Sequence, residues 1–240
     1  MMGRGIEATG IRLSFGRTDA LAGVDLSVEA GEVVVLVGPN GAGKTCLLRV
    51  LAGLIRPQSG HVACGGAETP DALRRVVSYC PDHGALYPAT ASATGALLHA
   101  AWPGWDAARF ADLLAVLEVP PDQPATVLSR GQQARLRLAM ALSRPAEALV
   151  LDEPLAGIDL ESRAAIVRLL AGHIADSRRA MIVATHELAE VERLADRLVV
   201  LAGGRIQWDE DADALRGRVG ASLEDWVRGG IPVAVPTGCV

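Results

Sequence analysis

The sequence predicts an α/β fold with a mostly parallel sheet and a helical segment inserted into it. Three observations support this prediction. Short apolar, β-branched runs recur along the chain, most of these runs precede a stretch of helical periodicity, and one long stretch is helical in period with no strand inside it. Strands that are apolar on both faces are typical of a parallel sheet that helices cover on both sides.

The predicted elements follow in chain order. The first 30 residues contain short strands and turns. "GEVVVLVG" (31–38) predicts a buried strand, and "KTCLLRVLAGLI" (44–55) predicts a helix that ends near Pro57. "ALVLDEP" (148–154) and "AMIVATH" (180–186) predict two further buried strands, followed by helices over residues 160–175 and 187–195.

A helical insert is predicted between the first and second of these buried strands. "TASATGALLHAA", "DAARFADLLAVLEV" and "GQQARLRLAMAL" all have helical spacing. We therefore predict one domain over residues 4–218, with the insert at about 84–144, and a C-terminal tail over 219–240. The last residues, "GGIPVAVPTGCV", have the composition of a loosely held loop.

Charge and cysteine usage argue against several classes of protein. The net charge of −5 lacks the basic excess of a general nucleic-acid binder, so no nucleic-acid partner is expected. The 4 cysteines are far apart, which indicates neither a zinc site nor a disulfide framework and fits a reducing cytosol. We find no signal peptide and no apolar run near the roughly 18 residues of a membrane span, and we expect a soluble, cytoplasmic chain.

"GPNGAGKT" (38–45) matches the spacing of a phosphate-binding loop and lies between a predicted strand and a predicted helix. Glycines let consecutive backbone N–H groups point at phosphate oxygens, and the helix N-terminus adds partial positive charge. The hydroxyl of Thr45 can bind Mg²⁺. An ordinary glycine-rich turn is the alternative, and we reject it because the pattern and its context occur together.

The single lysine of the chain, Lys44, lies in this loop, although the chain has 23 lysines and arginines in total. The β- and γ-phosphates require a compact charge on a flexible stem, and the broad planar guanidinium of arginine is a poor substitute there. The position of the lysine therefore supports a triphosphate site.

An acidic pair ends the strand in "ALVLDEP". Asp152 is predicted to hold Mg²⁺ directly or through water, and Glu153 is predicted to polarise the attacking water. Acidic turns after strands are common, so this motif gains its significance from the phosphate loop.

"LSRGQ" (128–132) opens a predicted helix shortly before "LVLDEP". Ser129 can cap this helix while the helix N-terminus and the N–H of Gly131 face a phosphate. With this motif in place, the chain resembles the ATP-binding subunits of ABC transporters over residues 6–208. The resemblance implies a P-loop NTPase core with a mostly parallel sheet, an N-terminal antiparallel β subdomain and an inserted α-helical subdomain.

The resemblance also implies a head-to-tail dimer with two ATP molecules and Mg²⁺ at its interface. In this family the signature motif of one subunit closes on ATP that is held by the phosphate loop of the other. Catalytic roles fall on Lys44, Glu153 and His186, and Mg²⁺ ligands are Thr45, Asp82 and Asp152. The implied nucleotide contacts are Phe15, Gly38, Pro39, Asn40, Gly41, Ala42, Gly43, Lys44, Thr45, Cys46, Asp82, Ser129, Gly131, Gln132 and Asp159.

Three of these residues are assigned by position in the family pattern. Phe15 matches the aromatic residue that stacks on adenine, with a plain core residue as the alternative. His186 in "VATHE" matches the histidine that contacts the γ-phosphate, with a structural histidine as the alternative. Asp159 in "AGID" matches the aspartate of the loop that joins the two ATP sites.

Three positions depart from the family pattern. Arg130 replaces a glycine of the signature, and we expect its side chain to point to solvent. Cys46 stands where Ser or Thr is usual, and its backbone N–H can still reach phosphate. Asp82 replaces a glutamine that binds Mg²⁺ and water and senses the membrane subunit, which we expect to alter coupling or turnover. An aspartate in a surface turn is the alternative for Asp82.

We expect Trp102 and Trp105 in "AAWPGWD" to pack in the interior, with a partner-binding edge as the alternative. This stretch, together with "LSRGQ", is similar to the ATPases of small bacterial exporters of the antibiotic and lipid type.

The resemblance therefore implies an ATP-hydrolysing subunit that powers export through a separate transmembrane permease. It implies either a homodimer or a heterodimer with a related ATPase, located at the inner face of the cell membrane. The alternatives are an importer ATPase, a soluble ABC ATPase that acts on ribosomes or DNA, and a regulatory cassette without catalysis. The cargo does not follow from this chain.

Overall fold

The computed structural model describes residues 5–219 and 222–228 of the chain. An N-terminal sheet contains three strands in the order β2-β1-β4, and both pairings are antiparallel. Along β1 and β2, buried positions mostly alternate with exposed ones, because one face of this sheet packs on the core and the other faces solvent. The strands are β1 (Ile6–Phe15), β2 (Thr18–Val28) and β4 (Ser59–Cys64).

The second sheet has six strands in the order β5-β6-β7-β3-β8-β9. All neighbours are parallel except β8 and β9, which form an antiparallel hairpin. Every residue of β3, β6 and β7 is buried, as expected for strands that are covered on both faces. The strands are β3 (Val33–Val37), β5 (Val77–Cys80), β6 (Ala148–Asp152), β7 (Ala180–Ala184), β8 (Arg197–Ala202) and β9 (Arg205–Asp211).

Nine α-helices lie within the part of the chain that the structure describes. Several begin at a polar residue whose side chain accepts a backbone N–H from the first turn, which satisfies an otherwise unpaired donor. The helices are α1 (Lys44–Leu51), α2 (Pro70–Val76), α3 (Ala91–Ala101), α4 (Ala107–Val116), α5 (Arg130–Ser143), α6 (Leu160–Ser177), α7 (Leu188–Val191), α8 (Ala212–Val219) and α9 (Leu223–Arg228).

The six-stranded sheet separates two apolar clusters. Along β3, Val33, Val35 and Val37 face one cluster, while Val34 and Leu36 face the other. The first cluster contains residues of α4, α5 and α6. The second contains residues of α1 and of the N-terminal sheet. This alternation explains why a central strand must be apolar at every position.

The predicted fold class is confirmed, including the parallel sheet, the antiparallel N-terminal sheet and a helical stretch (α3, α4 and α5) between β5 and β6. The predicted helix over 187–195 is wrong in extent. It consists of α7 and a 3₁₀ turn at Glu192–Leu194, because Asp196 N–H already donates to the carbonyl of Val33 and leads the chain into β8.

The C-terminal region contains more regular structure than the sequence predicted. Strands β8 and β9 and helix α8 follow one another, and α9 lies inside the predicted tail, where Leu223 is buried and Trp226 packs edge-on against Trp208. Residues 229–240 of that tail lie outside the described residues. The domain limits at 4–218 and 84–144 stay predictions.

Candidate nucleotide-binding site

Three adjacent strands end at the same edge of the six-stranded sheet. Leu36 of β3 and Asp152 of β6 both pair with Ala184 of β7, and the three strands are parallel. The phosphate loop follows β3, Glu153 follows β6, and His186 follows β7. Strand order therefore brings together the segments that carry the predicted catalytic residues, as is typical of ligand sites in open α/β sheets.

Glycine is required at two positions of the phosphate loop because other backbone atoms approach too closely. A Cβ atom at Gly38 would lie 2.0 Å from the carbonyl oxygen of Leu201, and one at Gly43 would lie 2.3 Å from that of Ala20. Both contacts are with backbone oxygens, which cannot move aside as a flexible side chain could. The loop is thus packed between β8 and β2.

The turn between β8 and β9 anchors the same loop. The N–H of Gly204 donates to the carbonyl of Ala42 at 3.2 Å, and the N–H of Ala22 donates to the carbonyl of Gly204 at 2.8 Å. One residue thereby connects the phosphate loop with the N-terminal sheet. These bonds fix the loop from outside and leave its inner side for a ligand.

The side chain of Lys44 lies over the loop. Its Nζ donates to the carbonyl of Gly38 at 2.6 Å and to that of Pro39 at 3.4 Å, and the residue is only 8% exposed. Helix α1 starts after Gly43 without a side-chain cap, so its first N–H groups are available to an anion. A buried ammonium beside uncapped N–H groups is suited to phosphate oxygens.

Cys46 is half-buried and packs against the apolar cluster beneath the N-terminal sheet. Burial raises the pKa of its thiol. The thiol therefore stays neutral, which is compatible with the prediction that this residue contacts phosphate through its backbone.

Asp152 lies between two hydroxyl groups. Thr45 Oγ1 donates to Asp152 Oδ1 at 3.2 Å, and the hydroxyl of Tyr79 donates to Oδ2 at 3.0 Å. Burial raises the pKa of Asp152, and both hydrogen bonds oppose this effect because they stabilise the carboxylate. Sequence reasoning predicted the contact with Thr45 as a shared metal role and did not predict Tyr79.

The donor set around Asp152 fits Mg²⁺. A carboxylate and a hydroxyl within hydrogen-bond distance supply hard oxygen ligands beside the phosphate loop. No cluster of three or more His, Cys, Asp or Glu side chains suited to a metal occurs in residues 5–219 and 222–228. Mg²⁺ takes one or two protein ligands and completes its shell with substrate phosphates and water, and Asp152 and Thr45 would supply those two ligands.

Glu153 and His186 are in direct contact. Glu153 Oε2 accepts the backbone N–H of His186 at 3.1 Å and lies 2.9 Å from its Nδ1. Glu153 has a φ of +48°, an uncommon value for a residue with a side chain, and its own N–H donates to the carbonyl of Ala184 at 2.8 Å. The backbone is held in a sparsely populated conformation that is typical of functional sites.

The signature residues lie at the start of α5. Ser129 Oγ accepts the N–H of Gln132 at 3.2 Å, and Gln132 Oε1 accepts the N–H of Ser129 at 3.0 Å, which forms a capping box. Arg130 is exposed, as predicted. A Cβ atom at Gly131 would lie 3.0 Å from the carbonyl oxygen of Gly157, so this motif packs against the loop that follows β6.

Within the described residues, the bonds of Ser129 and Gln132 are made to each other and not to the phosphate loop. Within one chain, the structure therefore brings together the phosphate loop, Asp152, Glu153 and His186. The signature residues do not join them there.

Two further predicted contact residues are at the surface. Phe15 ends β1, pairs with Thr18 and is 56% exposed, so the alternative of a plain core residue is wrong. Asp159 caps α6 by accepting the N–H of Ser162 at 2.9 Å. This hydrogen bond lowers the pKa of Asp159, so the exposed carboxylate is ionised.

Asp82 is paired with its neighbour. Its Oδ2 lies 3.0 Å from Nδ1 of His83, and the contact does not extend to Thr45. The pKa of Asp152, which burial raises most, is raised further by the charge of Asp82, so the two carboxylates are near each other. Arg137 donates to the carbonyl of Gly84 at 2.8 Å and ties this loop to α5.

A cleft of about 200 Å³ lies between the loop after β5 and the helical insert. Trp105 is buried against Phe110 with ring centroids 5.3 Å apart, so the prediction that it packs in the interior is confirmed. Trp102 is half-buried, with the guanidinium of Arg144 4.6 Å from its ring. The lining is mainly apolar and includes Pro81, Leu86, Leu98, Trp102, Trp105 and Met140.

Comparison with known proteins agrees with this geometry. The family model described as ABC transporter matches residues 21–156. Fe(3+) ions import ATP-binding protein FbpC 1 of Rhodococcus jostii (strain RHA1) is 39% identical over 214 residues, which cover 84% of this chain and 60% of that protein. Aliphatic sulfonates import ATP-binding protein SsuB 1 of Nocardia farcinica (strain IFM 10152) is 39% identical over 217 residues, 89% of this chain and 84% of that protein.

Hemin import ATP-binding protein HmuV of Streptomyces coelicolor (strain ATCC BAA-471 / A3(2) / M145) is 38% identical over 213 residues, 83% of this chain and 75% of that protein. Among these relatives the FbpC proteins are longer, and the chain spans only about 60% of their length.

Solved structures show the same fold. The structure of an ATP-binding subunit of an ABC transporter superposes with a TM-score of 0.83 at 25% identity, covering 93% of this chain and 98% of that one. A dimeric cassette, MJ0796 bound to ADP and Pi, superposes with a TM-score of 0.77 at 23% identity, covering 86% of this chain and 98% of that one. None of the helices in residues 5–219 and 222–228 is long and apolar enough to cross a membrane. The chain therefore belongs to the ABC transporter family of ATP-binding proteins.

Proposed function

We propose that this chain is a Mg²⁺-dependent ATP hydrolase that drives a membrane transporter. The observation that carries the proposal is the meeting of the Lys44 loop, Asp152, Glu153 and His186 at the ends of three adjacent strands. A phosphate cradle, hard metal ligands and a carboxylate next to an imidazole are the parts that phosphoryl transfer to water requires.

In this proposal the loop binds the triphosphate and Lys44 exchanges its carbonyl partners for phosphate oxygens. Mg²⁺ would be held by Thr45 and Asp152, and it supplies positive charge for the negative charge that develops on the phosphoryl group. The predicted role of Asp82 as a further ligand is retained as part of this proposal.

Glu153 is positioned to accept a proton from the attacking water. Both contacts from His186 are made to Oε2, so Oε1 is the carboxylate oxygen left for the water. The backbone N–H contact fixes the carboxylate even if the imidazole turns toward the γ-phosphate. His186 can therefore change its partner between ATP and Glu153 without releasing the base.

We propose that the complete site is formed by two chains. Ser129, Gly131 and Gln132 of one chain would contact ATP that is held by the phosphate loop of the other chain. Phe15 of the chain that supplies the phosphate loop would stack on the adenine. The capping box supports this role because it fixes a helix N-terminus at an exposed position. The γ-phosphate of ATP that is held by a second chain could bind there. Head-to-tail pairing of two identical chains gives two such sites.

Steady-state hydrolysis of ATP by the purified protein tests the first proposal. We expect Lys44→Ala to reduce turnover by about 10²–10³-fold, the cost of losing a charge-stabilising donor, and to weaken ATP binding. Arg56→Ala is the control, because it also removes one cation near α1 but from an exposed position. Equal rates in the wild type and Lys44→Ala would refute the site.

We further propose that the partner is a transmembrane permease and that the transport direction is uptake. The direction rests on the names of the relatives, which are import ATP-binding proteins, and it favours the importer alternative over the export that the sequence suggested. The apolar cleft next to the Asp82 loop is the docking surface we propose for the permease. This cleft lies between the helical insert and the loop of Asp82, whose side chain we propose as a further Mg²⁺ ligand.

Capture from solubilised host membranes tests the partner. Tagged Glu153→Gln protein, with ATP and Mg²⁺, is expected to bring down a polytopic membrane protein in fixed proportion, and Lys44→Ala is expected to bring down less. Recovery with ribosomes or DNA-binding proteins instead would favour the soluble alternative. Proteoliposomes of the captured permease reassembled with the wild-type chain, tested with Fe³⁺, an aliphatic sulfonate and hemin, then report direction, since externally added ATP energises only complexes whose ATPase faces outward.

A further inference from the structure

The carboxylate of Asp152 is enclosed on both sides. The residue is only 2% exposed, and its two oxygens accept hydrogen bonds from different elements. Oδ1 faces Thr45 at the start of α1, and Oδ2 faces Tyr79 in β5. An ionised carboxylate at this depth is costly unless hydrogen bonds compensate for the lost water.

The position of Tyr79 follows from the sheet. Tyr79 of β5 pairs with Val150 of β6 in the parallel ladder. Asp152 lies two residues after Val150 on β6, so the side chain of Tyr79 can reach its carboxylate. Burial raises the pKa of the Tyr79 hydroxyl, so it stays protonated and remains a donor.

Tyr79 has no place in the proposed chemistry itself, because its hydroxyl is turned toward Asp152. A donor on Oδ2 has two effects. It restrains rotation of the carboxylate, and it leaves Oδ1, the oxygen next to Thr45, as the oxygen that would bind Mg²⁺. Without this donor, the buried oxygen would lose its partner and the carboxylate could turn away from the metal.

We infer that Tyr79 is a positioning residue that orients Asp152 for Mg²⁺ in the ATP site. This inference rests on the proposed function. It assigns the tyrosine a role in metal affinity and not in the transfer of the phosphoryl group.

Tyr79→Phe tests the inference, because it removes one oxygen and keeps the ring. Mn²⁺ serves as the probe, and its binding to the protein is titrated by electron paramagnetic resonance with a non-hydrolysable ATP analogue present. We expect affinity for Mn²⁺ to fall on the order of ten-fold, as for a lost hydrogen bond to a charged group. Binding of the analogue without metal should stay the same, a separation that general misfolding would not produce. Tyr87→Phe, at an exposed tyrosine, is the matched control and should bind Mn²⁺ like the wild type.

In steady-state assays the Mg²⁺ concentration at half-maximal rate should rise by a similar factor, with a much smaller loss of turnover at saturating Mg²⁺. Unchanged Mn²⁺ affinity in Tyr79→Phe, while the wild type binds Mn²⁺ and analogue together, overturns the role of Tyr79 and leaves the ATPase proposal intact. Absence of nucleotide-dependent Mn²⁺ binding in the wild type overturns both.

Discussion

Nη2 of Arg109 lies 2.5 Å from Nδ1 of His173, so helix α4 of the insert and helix α6 share a buried imidazole. His173 is 2% exposed, and its Nε2 lies 3.4 Å from Arg179. Burial and the charges of Arg179 and Arg109 lower the pKa of His173 to about 4. The folded protein therefore keeps this imidazole neutral.

Stability should depend on pH through His173. The pKa of histidine in the unfolded chain is about 6.5, so below that pH the unfolded state binds a proton that the folded state excludes. The full stability is present above about pH 6.5, and it decreases as the pH falls toward 4, by on the order of 2 kcal/mol. Urea unfolding at about pH 7.5 and about pH 5 measures the difference.

His173→Gln should reduce this dependence on pH, even if it lowers stability overall. His99→Gln removes an exposed histidine and should retain the wild-type dependence. The same pH profile in all three proteins would exclude the explanation.

Glu153→Gln should uncouple ATP binding from hydrolysis. Glutamine keeps the shape and can still accept the N–H of His186, but it cannot take a proton from water. We expect turnover to fall by about 10²–10⁴-fold and ATP to hold two chains together. Light scattering after gel filtration with ATP should give twice the monomer mass of 25.0 kDa. The double variant with Lys44→Ala is the control and should stay monomeric; a monomer in both cases would contradict the two-chain site.

Asp82→Gln should weaken the binding of MgATP, because it removes the carboxylate that we propose as a further Mg²⁺ ligand. The change replaces an anionic oxygen with a neutral one, and a single charge in contact with its partner in water is worth about 1 kcal/mol, or a roughly five-fold higher KM at low salt. The effect should shrink as salt is added, because solvent ions screen a side chain that is 40% exposed. His83→Gln is the control, because it removes the partner of Asp82 and keeps the negative charge at position 82. A KM that does not respond to Asp82→Gln would favour the alternative of a surface turn.

Gly38→Ala should destabilise the protein more than Gly41→Ala. An alanine Cβ at position 38 meets the carbonyl of Leu201 at 2.0 Å, whereas at Gly41 no atom lies within 4 Å and only the left-handed φ of +78° opposes it. We expect a loss of about 1–3 kcal/mol from the clash and about 1 kcal/mol from the backbone alone. Thermal unfolding compares the two variants, and equal melting temperatures would show that the loop moves freely away from β8.

The central strands and their motifs were predictable because they are local in sequence. "VVVLV" and "ALVLD" are apolar at every position except the final aspartate, and such continuous apolar runs are typical of strands that are covered on both faces. The phosphate loop was predictable because its residues have a fixed spacing. The end of such a strand is also where a parallel sheet places ligands, so Asp152 and Glu153 could be predicted from their position together with the phosphate loop.

Long-range features were not predictable in this way. The contact between Tyr79 and Asp152 joins residues that are 73 positions apart, and it depends on β5 and β6 being neighbours in the sheet. The hairpin of β8 and β9 was missed, although two consecutive glycines between apolar runs, Gly203 and Gly204, are a turn signal.

The anchoring of the phosphate loop by Gly204 has a consequence for synthesis of the protein. Residues 38–45 leave the ribosome first, but Leu201 and Gly204, which pack against them, are made much later along the chain. A nascent chain that stops before this turn lacks the backbone that shapes the loop, so a partly translated chain cannot form a tight ATP site. Under the proposed function, we therefore expect nucleotide binding to begin only after the turn between β8 and β9 has been synthesised.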